Sequence, residues 1–385
     1  MSNKQYKIVF CGLSITSSWG NGHATTYRGL IRELTQQGHK VLFLERDRPW
    51  YAENRDLPHL SYARVELYSS VEQFKECFTK ELLEADAIIV GSFVPEGIEI
   101  GKWVHSHCKG ISGFYDIDTP VTLSHLYDKE VKKDFDYLSA ELIPLYDLYL
   151  SFTGGPTLKR IEKEFHSPQA VPLYCSVDTR IYFPENEKIQ WDLGYLGTYS
   201  ADRQASLEKL LIDPAIEWSS GRFIVAGAQY PDQITWPFNV NRVQHISPQY
   251  HSRFYSAQRF TLNLTRREMQ MAGYSPSVRL FEAAATGVPI ISDYWPGLEC
   301  FFSPGKDILI AQTTDEILKI LKNTTEEERQ NISLGARQRI IKEHTARHRA
   351  SQLIHYISEA FERKSKNNKK YWGIHGNHFK RLTSA

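Results

Sequence analysis

The sequence predicts an α/β protein built from two doubly wound domains that face a central cleft. Short apolar runs alternate with segments of helical period along most of the chain. That alternation is the pattern of parallel sheets with helices on both faces. It runs through twice, over residues 1–176 and again over 177–345. At 385 residues the chain suits two domains with a core each.

The first series opens with an apolar strand over 6–12, and a polar loop follows over 13–21. Tyr27, Leu30, Ile31 and Leu34 have helical spacing, so 22–37 reads as a helix that Gly38 stops. Strands are expected over 41–44, 87–90 and 111–115, with helices over 71–83 and 95–105. Thr119 and Pro120 suit a cap and a first helical residue. Strands over 148–152 and 171–174 close the first half. The second series expects strands over 191–196, 222–226, 242–245, 260–264, 288–291 and 308–310. Helices are expected over 202–211, 248–257, 314–322 and 326–344. A last helix over 346–363 carries Leu353, Ile354, Ile357 and Phe361 on one stripe. That stripe has no use on an isolated second domain, so the helix is expected to cross back onto the first. Residues 364–385 read as a basic tail.

The second half is organised around residues 275–293, SPSVRLFEAAATGVPIISD. Ser275 is a good cap and Pro276 suits the first helical position. The N–H groups of Ser277 and Val278 would then point out of a helix end that carries partial positive charge. Arg279 and Glu282 project from one face. A cation and a helix end suit a diphosphate, and a carboxylate beyond them suits the hydroxyls of a ribose. The plainer alternative is a surface helix whose Arg279 and Glu282 pair with each other.

Composition narrows the classes. The formal net charge is +1, which points to neither nucleic acid nor an acidic membrane surface. The five cysteines are scattered without a CxxC pair, as in reduced cytoplasmic proteins. The N-terminus enters a strand without a leader pattern, and no apolar run reaches membrane-spanning length. There is no GxSxG elbow, P-loop or HExxH. His105, His107 and Cys108 lack a second ligand pair, so no zinc site is expected.

Three smaller motifs compete. Asp116-Ile117-Asp118 is a DxD, a pattern that binds a divalent metal in some transferases. Here it ends a strand of a Rossmann-like sheet, so a helix-start or acceptor-side role is expected, one aspartate acting as a general base. Gly20-Asn21-Gly22 loosely resembles a dinucleotide fingerprint, with Glu45 where a ribose-binding acid would sit. About eight residues separate it from the strand and the third glycine is missing. The loop is read as a lip of the cleft with His23 beside it. Arg203, after Gly197-Thr198-Tyr199, suits a diphosphate, and Arg266 or Arg267 would add a second cation.

Taken in order, LGYLGTYSADR (193–203), FIVAG (223–227), VQHIS (243–247), LNLTR (262–266) and SPSVRLFEAAATGVPIISD resemble the nucleotide-sugar domain of GT-B glycosyltransferases, and more narrowly the CgeB-like group related to group 1 enzymes. FCGLS (10–14), GNGHATTYRGL (20–30) and YDIDTP (115–120) extend the likeness to the first half. The resemblance implies a metal-independent transfer from a UDP-, GDP- or dTDP-sugar, with no obligatory cofactor. It implies a donor site of Gly197, Thr198, Tyr199, Arg203, His245, Ile246, Arg266, Tyr274, Ser277, Val278, Arg279 and Glu282. Tyr274 stands where group 1 enzymes usually carry the first glutamate of the EX7E pattern. The acceptor side would be Gly20, Asn21, Gly22, His23, Asp116 and Asp118. The acceptor itself stays open among a small molecule, a glycan, a protein and a nucleic acid, and nothing speaks to oligomeric state. The alternatives are a metal-dependent GT-A-like transferase using Asp116 and Asp118, a nicotinamide-dependent oxidoreductase using the Gly20/Gly22 loop, and a non-enzymatic nucleotide-binding module.

Overall fold

The computed structural model describes residues 4–128 and 135–382, the side chains of 367–382 excepted. It contains two parallel sheets. The first holds β1 (Lys7–Gly12), β2 (Lys40–Arg46), β3 (Arg64–Tyr68), β4 (Ala87–Gly91), β5 (Ile111–Asp116), β6 (Leu148–Ser151) and β7 (Ala170–Pro172), in the order β3-β2-β1-β4-β5-β6-β7. The second holds β8 (Trp191–Leu196), β9 (Phe223–Ala226), β10 (Val240–Val243), β11 (Gln258–Asn263), β12 (Ile290–Ser292) and β13 (Leu309–Ile310), in the order β10-β9-β8-β11-β12-β13. The strand order reverses beside β1 and beside β8, and open α/β sheets bind ligands at such switch points. Edge strand β3 was not anticipated. Its RVELY run is only partly buried and lacks a continuous apolar signal.

The chain passes between the sheets twice, and the two passages lie side by side. Val177 N–H donates to the His344 carbonyl at 3.2 Å, and Ala346 N–H returns to the Val177 carbonyl at 2.8 Å. Buried Arg349 clamps them, donating to the Tyr174 carbonyl at 3.0 Å.

The last helix, Ala346–Leu382, runs back over the first sheet. Leu353 and Ile357 are fully buried in an apolar cluster shared by both halves. Phe361 stacks on Tyr6 with ring centroids 6.1 Å apart, and the Tyr356 hydroxyl donates to the Pro172 carbonyl at 3.1 Å. The sequence reading ended this helix at Arg363, but no proline follows to stop it. Lys364 continues the docking with a 2.8 Å hydrogen bond to the Gly110 carbonyl. Among the described residues, no helix is long and apolar enough to cross a membrane.

The helix after Ser275 begins later than local capping rules suggest. Its cap is Ser277 and its span Val278–Thr286, closed by Gly287 in the left-handed region at φ 75°. Ser275 is drawn away, because its hydroxyl bonds that of Thr153 in the first half at 2.8 Å.

Candidate functional site

The turns after β8 and β9, the helix Val278–Thr286 and the first-half loop around Gly20 enclose a cavity of about 210 Å³. Gly20, Asn21, Gly22, Gly197, Thr198, Arg203, His245, Ile246, Val278, Arg279 and Glu282 line it, from both halves of the chain. The backbone turns are pressed together. A Cβ on Gly227 would come within 1.9 Å of the Gly197 carbonyl oxygen, so only glycine fits there.

Two arginines converge on this space. Arg203 is buried and donates from Nη2 to the Thr198 carbonyl at 2.6 Å, while its Nε has no partner. Burial first, and then the nearby Arg279 charge, push its pKa down. Arg279 donates from Nη1 to the cap hydroxyl of Ser277 at 3.0 Å, and its guanidinium lies 5.8 Å from the centre of the Tyr195 ring. Among the described residues, neither arginine forms a salt bridge, so Arg279 and Glu282 do not pair. Two like charges held together beside a helix N-terminus favour an anion between them.

Glu282 sits a turn further along, 3% exposed. Burial pushes its carboxyl up to about 7, against the pull of the neighbouring Tyr182 hydroxyl, Arg279 and the Thr25 hydroxyl. His245 meets Trp19 of the first-half loop, with ring centroids 4.3 Å apart.

The other expected residues lie elsewhere. Asp116 does not reach the cavity. It is fully buried, accepts from the Tyr149 hydroxyl and at 2.8 Å from the Thr122 hydroxyl, and is pushed up to about 7 by burial. Its role here is to tie β5 to its neighbours. Asp118 pairs with Arg266 at 2.9 Å across the two halves. His23 keeps its ring 5.5 Å from Phe93, and burial holds its pKa down at about 4. Tyr274, at φ 49°, is pressed between Gly155 and Gly297, and its carbonyl accepts from Gly154 N–H at 2.9 Å. It belongs to the seam between the halves. Tyr199 packs edge-on against Tyr230, and Ser277 acts from behind as the cap. The side chain of Asn21 pins its own loop, donating to the Ser14 and Ser17 carbonyls at 3.0 Å.

Glu45 is saturated. It accepts from the Ser14 hydroxyl at 2.9 Å, the Thr16 hydroxyl at 2.7 Å, and the N–H groups of Ile15 and Thr16 at 2.7 and 3.1 Å. The acid expected of a dinucleotide site is thus used to fold the loop. Among the described residues, no group of three His, Cys, Asp or Glu could hold a metal.

Thr25, which followed the Gly20-Asn21-Gly22 pattern in the sequence, also lines the cavity, as do Gly227, Pro248 and His251, to which the sequence reading gave no role. A glycine directly after a buried strand could have flagged Gly227. Nothing local marks His251, which opens a helix of six residues.

Residues 203–355 match the family model described as Glycosyl transferase-like. No curated protein matches by sequence. Among solved structures, sucrose-phosphate synthase from Thermosynechococcus elongatus superposes with a TM-score of 0.68 at 14% identity, over 93% of this chain and 100% of that one. Anabaena Alr3699/HepE, solved with UDP and glucose, gives 0.68 at 12% identity, over 92% and 100%. An alpha-glucosyltransferase solved with UDP-glucose and DNA containing an abasic site gives 0.68 at 12%, over 92% and 100%. The fold is GT-B. In GT-B terms the cavity lies in the cleft between the two Rossmann-like domains, where the carboxyl ends of both sheets meet. The family match adds that the half carrying Arg203, Arg279 and Glu282 is glycosyl transferase-like.

Proposed function

We propose that this chain is a glycosyltransferase that takes a nucleotide sugar in the cleft and passes the sugar to an acceptor presented by the first domain. The observation that carries the reading is the pair Arg203 and Arg279, neither in a salt bridge among the described residues, at a helix start one turn from the buried carboxylate of Glu282. That spacing suits a diphosphate followed by a ribose. UDP is the first donor base to test, because the similar solved structures were determined with UDP or UDP-glucose; GDP and dTDP follow. The CgeB-like motifs support the narrower placement of the chain.

In this mechanism the diphosphate leaves with its charge met by two guanidinium groups and the N-terminal N–H of the helix. Such donors, fixed before the reaction, lower the barrier where negative charge develops. The mechanism gives a divalent metal no part; Asp118 is held by Arg266 and Asp116 is buried beneath two hydroxyls. Closure over Trp19 and His245 would exclude water and limit hydrolysis of the donor. His23 is the acceptor-side group we retain, its ring held neutral by burial. We assign residues 1–176 to the acceptor side, 177–345 to the donor side and 346–363 to a strap between them. The five free cysteines suit a reducing, cytoplasmic setting.

A thermal-shift series tests the reading, since a ligand that binds only the folded state raises its melting temperature. UDP, GDP or dTDP should stabilise the chain more than the matching monophosphate, and NAD should not. Release of the diphosphate from a nucleotide sugar should then persist in EDTA. A shift with NAD alone, or activity lost to EDTA and restored by Mn²⁺, would replace this reading by one of its rivals.

A further inference from the structure

The near-neutral charge of the whole chain hides an uneven distribution. Lys364, Lys366, Lys369, Lys370, Lys380 and Arg381 give residues 364–385 six basic residues, and the segment has no acidic one. With 46 basic and 45 acidic residues in all, the rest of the chain carries a net charge of −5. Most of the basic segment belongs to the last helix, Ala346–Leu382. Lys364 is spent on docking: its Nζ donates to the Gly110 carbonyl and meets the Asp147 carboxylate at 3.2 Å. Gly110 and Asp147 immediately precede β5 and β6, at the amino edge of the first sheet, whereas the cleft lies at the carboxyl edges. From there the helix runs on for about 18 residues, roughly 27 Å, to Leu382. The helical period sorts the sequence of this extension. From residue 369 on, Tyr371, Trp372, Ile374, Phe379 and Leu382 share one side with His375 and His378, while Lys369, Lys370, Lys380 and Arg381 share the other.

We propose that the end of this helix, residues 366–382, is a basic amphipathic arm that lies in the surface of an anionic lipid bilayer and holds the protein there. Such interfacial helices carry cations on one side, to meet lipid headgroups, and tryptophan, phenylalanine and leucine on the other, to enter the boundary of the acyl chains. Charge and apolar surface together supply the two signals that stable attachment needs. A nucleic-acid arm requires the cations alone, and the separation of an aromatic and apolar side from them has no use there. The rest of the chain, at −5, is repelled by an anionic surface, so attachment is confined to the arm. Because the helix passes the amino edge of the first sheet, the cleft at the opposite edge stays open. The placement is independent of what the cleft binds.

Co-sedimentation of the full chain with vesicles tests this, using phosphatidylcholine alone and phosphatidylcholine mixed with phosphatidylserine. The protein should sediment with the mixed vesicles, come off as salt rises, and stay in solution with phosphatidylcholine alone. Lys369→Gln and Lys370→Gln should each weaken binding about fivefold. Trp372→Ser combined with Phe379→Ser should weaken it about tenfold or more, with the melting temperature of the free chain kept. Unchanged binding in that double variant would leave only a charged tail and overturn the proposal. A wild type that stays in solution with both kinds of vesicle overturns it too. Duplex DNA that binds the chain more tightly than the mixed vesicles do would replace the membrane by nucleic acid. Stabilisation by UDP should be the same in every one of these variants. Failure at the vesicle therefore leaves the donor-site reading standing, and failure of UDP to bind leaves the arm standing.

Discussion

Charged side chains gather at the carboxyl edge of both sheets, but their surroundings differ. On the first sheet, Glu45 accepts four hydrogen bonds from the loop it folds, Asp116 is sealed beneath two hydroxyls, and Asp118 is held by Arg266. On the second, Arg203 keeps an unpartnered Nε and Arg279 meets a serine hydroxyl. A buried charge with its partners in place holds structure together. A buried charge left short of partners, beside another of the same sign, marks a place for a ligand.

The largest expected effect breaks this contrast at its cationic end. Arg279→Ala should weaken UDP binding by about 2–3 kcal/mol, the upper range for a charged hydrogen bond. The free protein should melt no lower, because Arg203 loses a like-charged neighbour. A lower melting temperature with affinity intact would put the arginines in the same structural class as the first-sheet carboxylates.

Glu282→Gln should weaken UDP by about 1.5–3 kcal/mol. It also carries a pH signature. The buried carboxyl titrates at about 7 and must be ionised to accept two ribose hydroxyls. Wild-type affinity should therefore fall as pH drops through about 7, and the variant should lose that component. A slope that survives in the variant would assign it to another group.

Asp116→Asn sharpens the comparison from the other side, through stability. Its folded pKa of about 7 lies above the ordinary value, so the folded state holds a proton that the unfolded state releases. The stability this contributes is complete below the ordinary carboxyl pKa and is lost as pH rises through about 7. Glu282 behaves alike. Each contributes a slope of about −1.4 kcal/mol per pH unit inside that window. Urea unfolding at pH 5, 6 and 7 should show the slope reduced by one proton in Asp116→Asn, with UDP affinity unchanged. Loss of UDP binding in a folded variant would return Asp116 to the site.

The smallest effect is expected at the pair across the cleft. Asp118→Ala should cost less than about 1 kcal/mol of stability, since Arg266 is partly exposed. EDTA should leave both proteins equally able to bind UDP. Metal-dependent binding in the wild type that disappears in the variant would revive the DxD.

Much of the fold was legible because its signals are local. Tyr27, Leu30, Ile31 and Leu34 repeat within one helix, and Gly287 ends another. Arg203, Arg279 and Glu282 could be picked out because each stands beside a strand end or a helix start, where αβ proteins bind anions. The capping rule failed at Ser275, which bonds Thr153, a residue 122 positions away. Strand β3 escaped because its exposed edge carries little apolar patterning.

By itself the sequence determined two parallel α/β domains of the GT-B kind and set the expectation that second-half residues meet a diphosphate and a ribose. Periodicity, helix stops and strand–loop–helix order depend on neighbours within a turn or two, so a linear reading contains them. Only the tertiary structure decided which charges meet a partner within the chain. It gave Asp118 to Arg266 across 148 residues, gave Glu45 to its loop, and set His251 between Ile246 and Glu282. The free energy of a charge is set by what surrounds it in space, and for these groups the surroundings come from residues distant in sequence, Arg266 lying 148 positions from Asp118 and Ser14 31 from Glu45.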